Sequence, residues 1–225
     1  MTQADGTLLM QHFSLIHDGS KQGWQAAYLA FHIAAQLGAP LSVLQVGESG
    51  DENKLTNRAA QVEVGGHAAG VVIETRWIRE FNLNTVKQRI SNSNGLFLPR
   101  HLIPDENTAR GFLEALSCPL WLASKEIKTQ GVAMLVADPA ADDVLIQYAA
   151  ILSQRIQQPL TGLVLESKSG GIPKSDTTEW LSLPDFSQAA IKLALKRVNV
   201  SLLVLPVSKF LLAGNLPVNC VLYPD

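Results

Sequence analysis

Along the 225-residue chain, short unbroken apolar runs alternate with stretches in which apolar residues return every third or fourth position. These are the patterns of buried parallel strands and of amphipathic helices. The run His12-Phe13-Ser14-Leu15-Ile16-His17 predicts a first strand, halted by the turn formers Asp18-Gly19-Ser20, with Ser20 placed to cap a helix. In that helix Trp24, Ala27, Tyr28, Phe31, Ala34 and Ala35 form one stripe, and Gly38 supplies a left-handed cap. Leu41-Ser42-Val43-Leu44-Gln45-Val46 predicts a second strand. The pair forms a βαβ unit of about 35 residues, which requires parallel pairing and a right-handed crossover.

Residues 47–57 read as loop and 55–64 as helix, with Gly65-Gly66-His67 as a break. Val71-Val72-Ile73-Glu74 predicts a third strand, residues 77–90 a helix, Leu96-Phe97-Leu98 a fourth strand closed by Pro99, 105–116 a helix, and Leu120-Trp121-Leu122-Ala123 a fifth strand. After a polar connector at 125–130 the pattern restarts. Val132 to Ala137 is strand-like and is halted by Asp138-Pro139. The next helix carries Val144, Leu145, Tyr148, Ala149, Leu152 and Ile156 on one stripe. Strands follow at 160–165, 180–183, 201–205 and 219–223, with loop at 166–177 and a helix at 186–198. Both halves share an Asp ending strand one, a Pro after strand four and a Cys at strand five. The fold class expected is α/β: two successive units of five-stranded parallel sheet flanked by helices, at 1–126 and 127–225, the second shortened. One doubly wound sheet of ten strands is the alternative.

Composition keeps this picture and narrows the function. With 47% hydrophobic and 17% charged residues, the chain is an ordinary globular sequence. A net charge of -2 and a pI near 6.2 leave no broad electrostatic footprint for nucleic acid. Cys118 and Cys220 lie in apolar runs and read as buried reduced thiols. The first six residues lack the basic and apolar regions of a signal peptide, and no apolar stretch approaches the length of a membrane span. A soluble, cytoplasmic protein with no membrane partner is the expectation.

Three segments together resemble the UspA-type universal stress proteins in tandem form. Leu15-Ile16-His17-Asp18-Gly19-Ser20 is similar to the family's strand-one ending. Ala34 to Val46 resembles its helix end, Gly-Ala turn and second strand, and Ser117-Cys118-Pro119-Leu120-Trp121-Leu122 its closing strand. The resemblance covers nearly all of 10–124 and, more faintly, 131–225. It implies an adenine nucleotide alpha hydrolase-like sheet ordered 3-2-1-4-5. It also implies pairing of the two domains within the chain through Leu120-Trp121-Leu122-Ala123 and Asn219-Cys220-Val221-Leu222-Tyr223. For nucleotide-binding members it implies that Asp18 and the Val46 backbone would hold an adenosine moiety. A turn residue bonded to nearby amides is the other reading of Asp18.

The phosphate side departs from the family. Its nucleotide-binding members carry Gly-x2-Gly-x9-Gly-[Ser/Thr] after strand four, whereas this chain has Pro99-Arg100-His101-Leu102-Ile103-Pro104-Asp105-Glu106-Asn107-Thr108. Two prolines remove amide donors, and Glu106-Asn107 stands where the Gly-Ser pair belongs, so a carboxylate there repels triphosphate. Arg100, His101 and Arg110 could face another anion, or be solvated surface residues. The second half is too short for such a loop. No metal-ligand spacing joins the five histidines, His32 reads as structural, and no nucleophile elbow occurs. His17 and Asp18, adjacent on a strand, point to opposite faces and make a poor dyad. The expected function is therefore a stress-response-type regulatory or binding protein, not an enzyme, needing no cofactor and lacking tight ATP binding. Its partner is a protein or small adenosine ligand. The alternative is a binder of AMP or a related ligand through Asp18 and Val46.

Overall fold

The structure is a computed structural model that describes residues 11–47, 52–90, 92–124, 130–172, 177–214 and 216–225. It divides into two compact units, Met1–Ala123 and Ser124–Asp225. The N-terminal segment 1–6, connector residues 125–129 and the expected boundary at 126/127 lie outside the described residues.

In the first unit the chain runs β1 (Phe13–His17), α1 (Lys21–Leu37), β2 (Leu41–Val46), α2 (Glu52–Ala68), β3 (Ile73–Ile78), α3 (Leu83–Arg89), β4 (Leu96–Leu98), α4 (Glu106–Leu116) and β5 (Leu120–Leu122). The strands lie in the order β3-β2-β1-β4-β5 and pair in parallel, with Leu15 opposite Val43 and Leu96 opposite Leu120. Order 3-2-1-4-5 is the one expected. At the centre Phe13, Phe97 and Trp121 are fully buried and meet edge-on or tilted at 4.9 to 6.2 Å between ring centroids. Gly95 lies against this cluster. A Cβ there would stand 2.7 Å from Trp121 Nε1 and 3.1 Å from the Phe13 ring, so packing rather than backbone conformation selects glycine.

The second unit repeats the plan: β6 (Val132–Val136), α5 (Asp143–Arg155), β7 (Leu160–Leu165), β8 (Thr178–Leu183), α6 (Gln188–Arg197), β9 (Leu202–Pro206), α7 (Phe210–Ala213) and β10 (Asn219–Tyr223). Its parallel order is β8-β7-β6-β9-β10, the same permutation. The shortening falls on helices. Where the first unit has 17-residue α2 and 11-residue α4, the second has the six-residue 3-10 stretch Glu166–Gly171 and four-residue α7.

Several local expectations are corrected. Gly65-Gly66 does not break α2, which runs through to Ala68. A Cβ on Gly65 would press on Phe31 at 3.1 Å and one on Gly66 would overlap Ile73, so close packing of α2 outweighs glycine's helix penalty of about 1 kcal/mol. The third strand lies later than Val71 and takes in Trp77 and Ile78, leaving α3 only Leu83–Arg89. It is a strand with polar Glu74 and Arg76 exposed, an alternation hidden by the apolar pair before it. Residues 166–171 are 3-10 helix, not open loop. On α1, the buried side carries Ala26, Ala27, Ala30, Phe31, Ile33 and Ala34, while Tyr28, Ala35 and His32 are exposed. His32 is therefore not a core histidine.

Candidate functional site

In a parallel sheet, ligands sit beyond the carboxyl ends of the strands where the strand order reverses. In the first unit this point lies between β1 and β4, and Asp18 directly follows β1. The turn is built locally. Asp18 Oδ1 accepts from Ser20 N at 3.0 Å and from Ser20 Oγ at 2.7 Å, and Ser20 Oγ in turn accepts from Gly23 N at 2.9 Å, capping α1. Gly19 has φ +76°, and a Cβ there would stand 2.5 Å from the Arg58 guanidinium. The left-handed conformation favours glycine, while the Arg58 side chain could move aside. Arg58 Nη1 also makes a long 3.5 Å contact with the Asp18 carbonyl.

Asp18 Oδ2 meets His101 Nε2 at 2.8 Å. His101 belongs to the 3-10 turn Arg100–Leu102 that follows β4 and Pro99. Gln22 Oε1 accepts from the His101 backbone N–H at 3.0 Å and faces Nδ1 at 3.0 Å. The first turn of α1 and the turn after β4 are thus clasped together across the crevice. His101 is no merely solvated surface residue. Its side chain keeps 42% of its surface exposed and that of Asp18 keeps 16%, so the clasp sits at the rim of the crevice.

The structure brings together two of the four expected site residues, Asp18 and His101. Arg100 begins the same turn, and Val46 ends the neighbouring strand β2, opposite Ile78 of β3. Arg110 pairs with Glu106 at 2.9 Å along α4. Gln22 and Arg58 join the site without any marker in their neighbourhoods in sequence. His17 takes partners other than Asp18. It is buried, its Nδ1 lies 2.9 Å from Gln45 Oε1, and its ring meets Trp24 edge-on at 4.6 Å. Burial lowers its pKa, opposed by the Gln45 hydrogen bond and the Asp18 charge and reinforced by Arg58.

The phosphate side carries negative charge of its own. Asp105 caps α4 by accepting from Thr108 N at 2.7 Å, and Glu106 occupies the first helical position. The Thr108 bonds hold the Asp105 carboxyl below the usual range. A helix N-terminus that could attract an anion is here already answered by carboxylates of the chain.

The second unit repeats the motif with other residues. Asp138, after β6, accepts from Ala140 N at 3.1 Å and meets Lys168 Nζ at 3.0 Å. The Lys168 hydrogen bond, with that of Ala140 and the lysine charge, keeps this carboxyl low. Each unit therefore gives its strand-one aspartate a nitrogen partner of its own: His101 from beyond β4, Lys168 from beyond β7. Among the described residues no group of three or more His, Cys, Asp or Glu could hold a metal ion, and no helix is long and apolar enough to cross a membrane. Both cysteines are buried and neither forms a disulfide, and burial pushes the Cys118 thiol up to about 12.

No protein-family model matches the sequence, and no curated protein matches it. Among solved structures the chain is similar to a universal stress protein from Archaeoglobus fulgidus DSM 4304. The two are 14% identical, with a TM-score of 0.66 over 96% of this chain and 98% of that one. A protein from the universal stress protein family from Burkholderia pseudomallei is 18% identical over 50% of this chain and 94% of that one, with a TM-score of 0.38. The first likeness gives the chain the universal-stress-protein fold.

Proposed function

We propose that the chain is a stress-response-type regulatory binding protein of the UspA-like family, two tandem units in one cytoplasmic chain, that binds ATP weakly or not at all and catalyses no reaction. The observation that carries this reading is the clasp on Asp18. The carboxylate that would receive an adenosine hydroxyl already bonds Ser20 and His101. The polyphosphate would then meet Asp105 and Glu106 at the start of α4, with Pro99 and Pro104 in place of amide donors. Thermal unfolding of the full chain in about 1 mM ATP tests it: a dissociation constant of about 10 µM would add about 2.7 kcal/mol of stability. The proposal expects no shift in melting temperature, and a rise of several degrees overturns it. A turnover assay with ATP checks the absence of catalysis, and steady phosphate release proportional to protein contradicts it.

A second reading, binding of AMP or a related adenosine ligand through Asp18 and the Val46 backbone, is favoured by the exposure of His101, whose side chain has room to leave the rim. On that reading His101→Ala strengthens AMP binding, and an unchanged affinity contradicts it. The partner is otherwise a protein, with no role for nucleic acid or membrane. The family resemblance also supports pairing of the two units through Leu120-Trp121-Leu122-Ala123 and Asn219-Cys220-Val221-Leu222-Tyr223. A chain paired internally sediments as a monomer near 24.3 kDa, and a stable dimer at micromolar concentration argues against it.

A further inference from the structure

Beyond the ends of β2 and β3 the first unit has an open pocket of about 360 Å³ that neither Asp18 nor His101 lines. Trp77 and Arg79 come from the end of β3, Thr85 and Arg89 from α3, and Glu52 from the first turn of α2. The indole of Trp77 is unusual on a surface, since the residue keeps 42% of its area exposed. The two arginines are unusual in another way. Arg76 pairs with Glu74 at 2.7 Å, Arg110 with Glu106 at 2.9 Å, and Arg58 reaches the Asp18 carbonyl. Arg79 and Arg89 make no ion pair or hydrogen bond among the described residues, although both line one small pocket.

Two guanidinium groups on one pocket repel each other, and among the described residues Glu52 is the one lining carboxylate against them. An anion relieves that repulsion, and the planar fork of arginine matches carboxylate and phosphate oxygens. The indole offers a flat apolar face for stacking. A volume near the lower end of small-molecule sites, roughly 300 to 1,000 Å³, limits the occupant to a compact molecule. We propose that this pocket is a second ligand site that takes a small flat aromatic anion, with its ring on Trp77 and its carboxylate or phosphate held by Arg79 and Arg89. The site adjoins the Asp18 crevice at Gly47, next to Val46, but draws on neither Asp18 nor His101.

Amide and indole NMR spectra of the full chain test the proposal, with the Trp77 indole signal assigned from its loss in Trp77→Phe. Benzoate and phenyl phosphate serve as probes; inorganic phosphate and benzyl alcohol serve as the ringless and uncharged controls. The expected result is a saturable shift of the Trp77 indole signal with a dissociation constant of about 1 mM or tighter. Each control binds at least tenfold more weakly, and Arg79→Ala and Arg89→Ala each weaken the aromatic anions about tenfold. Both arginines are exposed, so the variants keep a folded spectrum that serves as its own control. Three results overturn the proposal: no Trp77 shift at about 10 mM of either probe, equal binding of either control, or affinities unmoved by both arginine substitutions.

Discussion

The clasp between Asp18 and His101 makes a measurable claim about stability. The contact is 2.8 Å long, with one partner 16% exposed and the other 42%. A pair this open to solvent contributes about 0.5 to 1 kcal/mol, below the value for a desolvated pair. Asp18→Ala costs more than the pair alone, about 1 to 3 kcal/mol, because it also removes the acceptor for Ser20 N and Oγ. His101→Ala removes the ring that faces Gln22 but leaves the backbone bond to Gln22 in place. Its expected cost is about 0.5 to 1 kcal/mol. Urea unfolding of the parent, both single variants and the double variant gives a cycle in which the Ser20 and Gln22 losses cancel. The expected coupling is about 0.5 to 1 kcal/mol. Strictly additive variants refute the clasp.

Three further predictions follow from other parts of the fold. Gly95→Ala forces a methyl group against the rigid rings of Trp121 and Phe13 and lowers stability by about 1 to 3 kcal/mol in chemical denaturation; a neutral substitution contradicts the packing described. Because burial lowers the pKa of His17 below its ordinary 6.5, the unfolded chain binds more protons. Stability is then full above that value and falls as pH drops through it, with lowered pKa values at His12 and His32 acting in the same sense. Denaturation midpoints between about pH 7.5 and 5.5 test this, and a slope unchanged in His17→Gln counts against it. Cys118, buried with its thiol pushed up to about 12, is expected to resist alkylation at neutral pH until the chain unfolds, and rapid modification of the folded chain speaks against its burial.

The sequence made the sheet legible and the clasp invisible, for different physical reasons. Strands such as Leu41–Val46 and Leu202–Pro206 are buried apolar runs bounded by turn residues, and local pattern suffices to find them. The polar strand Ile73–Ile78 is hard to place from sequence because its signal is the weak alternation of Glu74 and Arg76 rather than apolarity. Gly65-Gly66 looked like a break because helix propensity is local, while the packing that keeps them helical involves Phe31 and Ile73. Asp18 was found from its turn. Its partner His101 lies 83 positions away in a loop, and the Gln22 that orients it has no marker of its own. Only the strand order 3-2-1-4-5 places these residues together. The same holds for Asp138 and Lys168, whose pairing rests on a 3-10 segment that read as loop.

The central claim is that in this universal-stress-protein fold Asp18 is engaged by Ser20 and His101 and does not serve a tight ATP site. Isothermal titration of the intact chain with ATP and magnesium, repeated on Asp18→Ala, tests it most directly. The account predicts no binding tighter than about 1 mM for either protein. Micromolar affinity that Asp18→Ala abolishes would contradict it.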